Sequence, residues 1–281
     1  MYRIVKHMKN ASIEQPLIYR VIRKIMYLIN IGLVIRNAKI KKKGSPDGLP
    51  IPPLKLIFLV TDWYDIEKFL ENGHNAFIYI KDTLSKNGID IKNFKKILDF
   101  GCGCGRILRN WKNLENTKFY GTDVNPRLIS WCKKYLDFVD VKTNKFSSKL
   151  GYNDNQFDFI YSVSVFTHFN EELQSFWMDE LIRILKPGGY LLLTLRTSLK
   201  DFYDFTPQET EMFENGIPFV RNEKLVGSNL CKSYTPEKYV REKLAKNLEI
   251  VDIIRDAAVD FRQDVVLFRK PLTVSEENKI M

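Results

Sequence analysis

Cysteine and histidine are scarce, with four of the first and three of the second in 281 residues. Cys102 and Cys104 stand two positions apart, too close for a relaxed disulfide framework, and neither a C-x-x-C pair nor a histidine at zinc-ligand spacing accompanies them. The four thiols, with Cys132 and Cys231, therefore read as small, partly buried side chains in a reducing cytoplasm, and no metal site is expected. Long apolar runs are missing too. The uncharged stretch from Ile25 to Ile35 is far shorter than the about 20 apolar residues that cross a bilayer, and no small-residue cleavage site follows it. Neither a membrane span nor a signal peptide is expected. There is no internal repeat.

Net charge is nearly absent from most of the chain. The net charge is +10, yet residues 1–48 hold eleven of the 44 Lys and Arg against only Glu14 and Asp47. This segment carries +9 and the other 233 residues about +1, so the main domain lacks the electrostatic footprint of a nucleic-acid enzyme. After Pro16, apolar residues at Leu17, Ile18, Val21, Ile22, Ile25, Leu28 and Ile29 oppose Arg20, Arg23 and Lys24, which is helical periodicity with a basic side. Two readings stay open: a helix that packs on the domain, or one that lies on an anionic membrane surface.

Lys41 to Pro53, rich in lysine, glycine and proline, reads as a linker that sustains neither helix nor strand. The expected divisions are a basic amphipathic segment over 1–48, a main domain over 49–273 with its first element near Leu54, and a polar tail over 274–281. Trp63, Ile66, Phe69 and Leu70 mark a helix ending at Gly73, and Phe77, Ile80 and Leu84 a second ending near Gly88. Apolar runs at 96–100, 118–123, 138–143, 157–163 and 190–195 then alternate with helical patterns at 106–114, 126–136 and 171–185. That alternation predicts a parallel sheet with helices on both faces. Asn125-Pro126 and Thr235-Pro236 are helix starts, the second for a helix running to Asn247. The runs 248–254 and 264–269, joined by a short link, predict an antiparallel pair.

The stretch I-L-D-F-G-C-G-C-G-R-I from Ile97 to Ile107 is a strand that runs into alternating glycines. Glycine there lets backbone approach a ligand, because no Cβ intervenes. The trio Gly101, Gly103 and Gly105 is G-x-G-x-G, whereas the dinucleotide fingerprint needs G-x-G-x-x-G, and Arg106 stands at its third position. Asp123 closes the second strand, where a carboxylate accepts both hydroxyls of a ribose. A strand-end acid facing a glycine-rich first turn points to a nucleoside site at the carboxyl edge of the sheet.

The motifs D-F-G-C-G-C-G at 99–105, G-T-D at 121–123, F-D-F-I-Y-S at 157–162 and L-K-P-G-G at 185–189, in this order, resemble the class I S-adenosylmethionine-dependent methyltransferases. V-F-T-H-F at 165–169 and F-R-Q-D-V-V-L-F-R-K-P at 261–271 are similar to a bacterial subgroup acting on small molecules or glycans. The resemblance covers about residues 90 to 200. It implies an α/β, Rossmann-like, seven-stranded, mostly parallel sheet with an antiparallel last strand, helices on both faces and an N-terminal helical extension. It also implies S-adenosylmethionine as cofactor. Gly101 and Gly103, with Phe100 and Cys102 between and before them, would lie under the methionine part. Asp99 would help hold its amino group through the loop, Asp123 would bind the ribose, and Val124 would pack on the adenine. Where the family often has an Asp for the adenine amine this chain reads T-N-K-F, which makes Asn144 the substitute. Ser162 would sit near the methionine moiety and the acceptor.

A sulfonium already makes methyl a good electrophile, so the protein's task is to align the groups and exclude water. An oxygen or nitrogen nucleophile also needs its proton removed, and His168, following the fourth strand on the cofactor side, is the candidate base. Its competing reading is a cap of the helix beginning near Asn170, or packing between Phe166 and Phe169. His7 and His74 read as solvated. Trp63, Tyr64, Phe202, Tyr203, Phe213 and Tyr234 are candidates for an acceptor pocket, although aromatic residues at this frequency are mostly core. The helices before the first strand and the segment Ser198 to Tyr234 are expected to cover the acceptor.

The V-S-V-F sequence after the fourth strand lacks the N-P-P-Y pattern of nucleic-acid amino methylation. The expected activity is methyl transfer to oxygen or nitrogen of a small-molecule or glycan-like acceptor, in the cytoplasm, with possible contact to an anionic membrane through the N-terminal helix. A cofactor-binding regulatory protein without turnover and a nicotinamide-dependent oxidoreductase are the alternatives, the latter opposed by the glycine spacing.

Overall fold

The computed structural model describes residues 17–199, 205–258 and 262–272. His7, Phe202, Tyr203, Phe261 and the tail 274–281 lie outside the described residues. Four helices come first: α1 (Leu17–Ile29), α2 (Ile31–Lys43), α3 (Leu54–Thr61) and α4 (Ile66–Lys86). The remaining elements are β1 (Lys96–Phe100), β2 (Lys118–Asp123), α5 (Pro126–Tyr135), β3 (Val139–Thr143), β4 (Phe157–Ser162), α6 (Glu171–Ile184) and β5 (Leu185–Leu195). They are followed by α7 (Pro207–Glu214), β6 (Phe219–Arg221), β7 (Lys232–Tyr234), α8 (Glu237–Tyr239, continuing as a wide turn to Leu244), β8 (Glu249–Ala258) and β9 (Gln263–Arg269).

Seven strands form one sheet in the order β3-β2-β1-β4-β5-β9-β8, and β6 and β7 form a separate antiparallel hairpin. Pairing is parallel from β3 to β5 and antiparallel where β9 meets β5 and β8. Successive side chains of a strand point to opposite faces, and the core divides accordingly. Leu98, Phe100, Ile160, Leu191, Leu193 and Phe268 join α6 in one apolar cluster, while Ile97, Phe159, Tyr161, Leu192 and Leu267 pack with α4 and α5 in another. Burial on both faces is why these strands read as continuous apolar runs.

Four local expectations are corrected. Lys41–Lys43 are helical, forming the last turn of α2, where their charges meet the negative helix end and Gly44 N–H closes the turn on the Ile40 carbonyl. Gly73 does not end a helix; α4 passes through it without a break, and glycine fits there where a Cβ would fall 2.1 Å from the Arg106 carbonyl oxygen. The site needs the missing side chain, not a turn. The span 106–114 contains only one short turn, Leu108–Trp111, since the Asn110 side chain donates to the Arg106 and Ile107 carbonyls and competes with helical amides. The helix after Pro236 stops at Leu244, short of Asn247.

The N-terminal helices are tied to the domain by polar groups. Buried Asn37 donates to the Tyr64 carbonyl at 2.6 Å and accepts from Ile66 N–H at 3.0 Å. Buried Arg109 pairs with Asp47 and donates to the Leu49 carbonyl at 3.2 Å, so the stretch between α2 and α3 is anchored. No helix among the described residues is long and apolar enough to cross a membrane.

Candidate active site

The carboxyl ends of β1, β2 and β4 open into a cavity of about 390 Å³. Its floor is the glycine loop. Gly101, Gly103 and Gly105 all have positive φ, which side chains rarely tolerate, and β2 receives the loop through Gly101 and Cys102 N–H donating to the Thr122 carbonyl at 2.8 and 2.9 Å. Asp123 fixes the next turn: Oδ2 accepts from Gly103 N–H at 3.0 Å and Oδ1 from Asn125 N–H at 2.8 Å. Each carboxylate oxygen has a second lone pair, so two acceptor positions remain at the cavity wall.

Asp99 sits below the floor and does not line the cavity. It is 2% exposed and accepts from the Tyr161 hydroxyl at 3.0 Å, which in turn accepts from Trp111 Nε1 at 3.0 Å. Burial pushes its carboxyl up to about 7, against the hydrogen bond from Tyr161 and the charge of Arg106. Asp99 thus acts on a ligand only through the loop above it.

Of the residues singled out from the sequence, Phe100, Gly101, Gly103, Asp123, Val124, Asn144 and His168 line the cavity. Cys102 and Ser162 do not. The Cys102 thiol is buried, as are the other three, and all four are free. The Ser162 hydroxyl is fully buried and donates to the Phe100 carbonyl at 3.0 Å, which splices β4 to the end of β1. Ser164 lines the cavity instead. Its φ of 61° turns the chain into the left-handed region, where its amide donates to Thr194 Oγ1 at 2.7 Å. Strained backbone of this kind gathers at functional sites, and nothing in V-S-V announces it.

The far side of the cavity is built from elements outside the sheet. Val60, Asp62, Trp63, Lys68 and Asn72 come from α3, α4 and the turn between them, and Gly227, Ser228 and Asn229 from the segment before β7. Trp63 is the sole member of the candidate aromatic set, among the described residues, that reaches the cavity. Tyr234 is 1% exposed and stacks on Phe219 at 4.9 Å, and Tyr64 stacks on Phe58 at 4.5 Å. Both are core. Arg106, directly after the glycine trio, also lines the cavity and is 6% exposed. The signal for it was its position next to the loop.

His168 stands where the two walls meet. Its Nδ1 lies 2.6 Å from the Cys231 carbonyl, and its own carbonyl accepts from Gly227 N–H at 2.8 Å. A carbonyl accepts only, so Nδ1 carries the hydrogen and Nε2 keeps a free lone pair. Burial, reinforced by Arg196, holds the ring down to about 4, and it is neutral at pH 7. His168 does not cap α6, because Asn170 does so, accepting from Leu173 N–H.

The fold, the glycine cradle and the strand-end acid are similar to those of the class I S-adenosylmethionine-dependent methyltransferases. In agreement, residues 98–193 match the family described as "Methyltransferase domain". The chain is 28% identical over 138 residues to the sterol 24-C-methyltransferase erg6 of Schizosaccharomyces pombe, covering 46% of this chain and 36% of that protein. It is 29% identical over 157 residues to the ubiquinone/menaquinone biosynthesis C-methyltransferase UbiE of Laribacter hongkongensis, covering 52% and 62%. The chain thus spans less than two thirds of the length of either relative. The PH0226 protein of Pyrococcus horikoshii OT3 shares the fold, with a TM-score of 0.50 at 16% identity over 69% of this chain and 91% of that one.

The residues fit this cofactor. A Cβ on Gly103 would approach Val60 to 2.8 Å, so the cradle holds its width only with glycine there, and Asp123 offers its two remaining acceptor positions to a ribose diol. This has a pH consequence. Burial pushes the Asp123 carboxyl up to about 6, against the amides of Asn125 and Gly103. As pH falls through that value the group takes up a proton and ceases to be a double acceptor, so binding is full above it and fades below. The dissociation constant for S-adenosylmethionine is expected to rise about tenfold between pH 7 and pH 5, as for one required ionisation. Calorimetry across that range checks it, and a constant affinity would remove Asp123 as the titrating ligand.

Proposed function

We propose that this protein transfers a methyl group from S-adenosylmethionine to an oxygen or nitrogen of a small-molecule or glycan-like acceptor, with His168 as the general base. The observation that supports this best is a single cavity with two unlike ends. Gly101, Gly103, Asp123 and Val124 form a donor end on the sheet, while Trp63, Lys68, His168 and Asn229 form the opposite wall.

The bound cofactor supplies an electrophilic methyl on a sulfonium. Asp123 holds the ribose, the glycine loop and Asn144 bound the donor end, and Phe146 and Phe169 add apolar wall that keeps water away from the methyl. His168 Nε2 takes the acceptor's proton as the new bond forms, its tautomer set by the Cys231 carbonyl. Most of the catalysis is alignment, for which the rigid sheet edge is suited.

An acceptor screen that reads release of S-adenosylhomocysteine tests the reading. With an acceptor in hand, His168→Ala is expected to lower kcat by about 10²-fold or more, with cofactor affinity unchanged. Undiminished kcat would show that the nucleophile needs no base, and cofactor binding without turnover of any acceptor would turn the protein into a sensor.

A further inference from the structure

Helix α1 is mounted with its apolar side outward. Its polar flank, Tyr19, Arg20, Arg23 and Tyr27, is half-buried against the domain. Arg23 donates to the Asp62 carbonyl at 2.7 and 3.1 Å and lies 3.5 Å over the Trp63 ring, and Tyr27 packs 5.4 Å from Tyr64. Leu17, Val21, Ile22, Ile25, Met26, Leu28 and Ile29 are all about half exposed or more, from 46% to 74%, and Ile31 and Ile35 of α2 extend the same apolar surface. A surface helix ordinarily buries this stripe.

Charge says what covers it. Lys24 of α1 and Lys39, Lys41, Lys42 and Lys43 of α2 are exposed on the same two helices. The nearby acids are already engaged, Asp47 by Arg109 and Asp65 and Glu67 by Arg36. An apolar stripe on helices whose exposed lysines have no ion-pair partner among the described residues suits the interface of an anionic bilayer, where the stripe enters the acyl boundary and the lysines meet headgroups. We infer that α1 and the start of α2 form a docking surface for an anionic membrane. Arg23 touches both Asp62 and Trp63, which line the cavity, so docking would carry the cavity wall to the headgroup layer. As to the acceptor, which would then be one held at a membrane, this rests on the methyl-transfer reading; the docking itself does not.

Sedimentation of the full-length protein with vesicles tests it. Binding is expected to vesicles of phosphatidylcholine with about one third phosphatidylglycerol, and to weaken about tenfold or more in neutral vesicles or in about 0.5 M salt. The double variant Ile25→Glu, Leu28→Glu changes only exposed side chains and is expected to lose binding at least tenfold while still binding S-adenosylmethionine in calorimetry. That second measurement separates failure of docking from failure of the methyltransferase reading. Absence of binding to anionic vesicles, binding undiminished in the variant, or a wild-type dimer that the variant converts to monomer would each overturn the proposal, the last by assigning the surface to a second copy.

Discussion

Asp123→Ala is expected to lose measurable binding of S-adenosylmethionine. Asp123 is the one carboxylate on the cavity wall at the end of β2, and both of its oxygens already organise the cradle through Gly103 and Asn125 N–H. Removing it deletes two acceptors for the ribose and releases the amide that fixes the glycine loop. Hydrogen bonds to a charged group contribute about 1.5–3 kcal/mol each, so loss of two weakens binding by at least about 10²-fold. Asp123→Asn keeps one acceptor oxygen and is expected to fall between the two. Calorimetry with all three proteins gives the order, and wild-type affinity in Asp123→Ala would sink the ribose assignment.

The second large effect lies in α4, at Gly73, which follows the cavity-lining Asn72 and backs onto Arg106. Gly73→Ala would ordinarily stabilise an exposed helix by about 1 kcal/mol. Here the added Cβ would lie 2.1 Å from the Arg106 carbonyl oxygen and 2.8 Å from its carbon, both backbone atoms that cannot swing aside. The sign therefore reverses, and a destabilisation of about 2–3 kcal/mol is expected in urea denaturation. Because Arg106 follows Gly105, the displaced backbone also disturbs the cradle, and weaker cofactor binding should accompany the loss. A variant as stable as the wild type would show that α4 and the loop slide past each other freely.

Gly73 also shows where the sequence misleads. A glycine inside an apolar 3.6-residue pattern reads as a stop, and the reason it is there is a backbone 33 positions away. The parallel core was legible, because strands buried on both faces must be apolar throughout and Asn125-Pro126 starts a helix by local geometry alone. The place of Asp123 on the cavity wall was legible because it stands at a strand end beside glycines whose spacing is itself a geometric statement. Ser164 was not, since its left-handed backbone depends on Thr194 and, through Gln263, on β9. Nor was the inward turn of Ser162, because period-two alternation stops being a guide where a strand becomes a loop. The far wall of the cavity was foreseen only as segments. Which residues of those segments face inward is decided by contacts such as the one between Gly227 and Phe146, where a Cβ would come within 2.1 Å of the ring. The orientation of α1 was open in the sequence for a simpler reason: amphipathic periodicity gives two faces and does not say which one the rest of the protein will take.

The partner of His168 is a main-chain carbonyl, that of Cys231. Every residue type carries that carbonyl, so the segment around Cys231 can change its side chains over evolutionary time without surrendering the tautomer of the ring. Under the proposed function, acceptor preference can drift in such a scaffold while the nitrogen assigned as the base stays where it is.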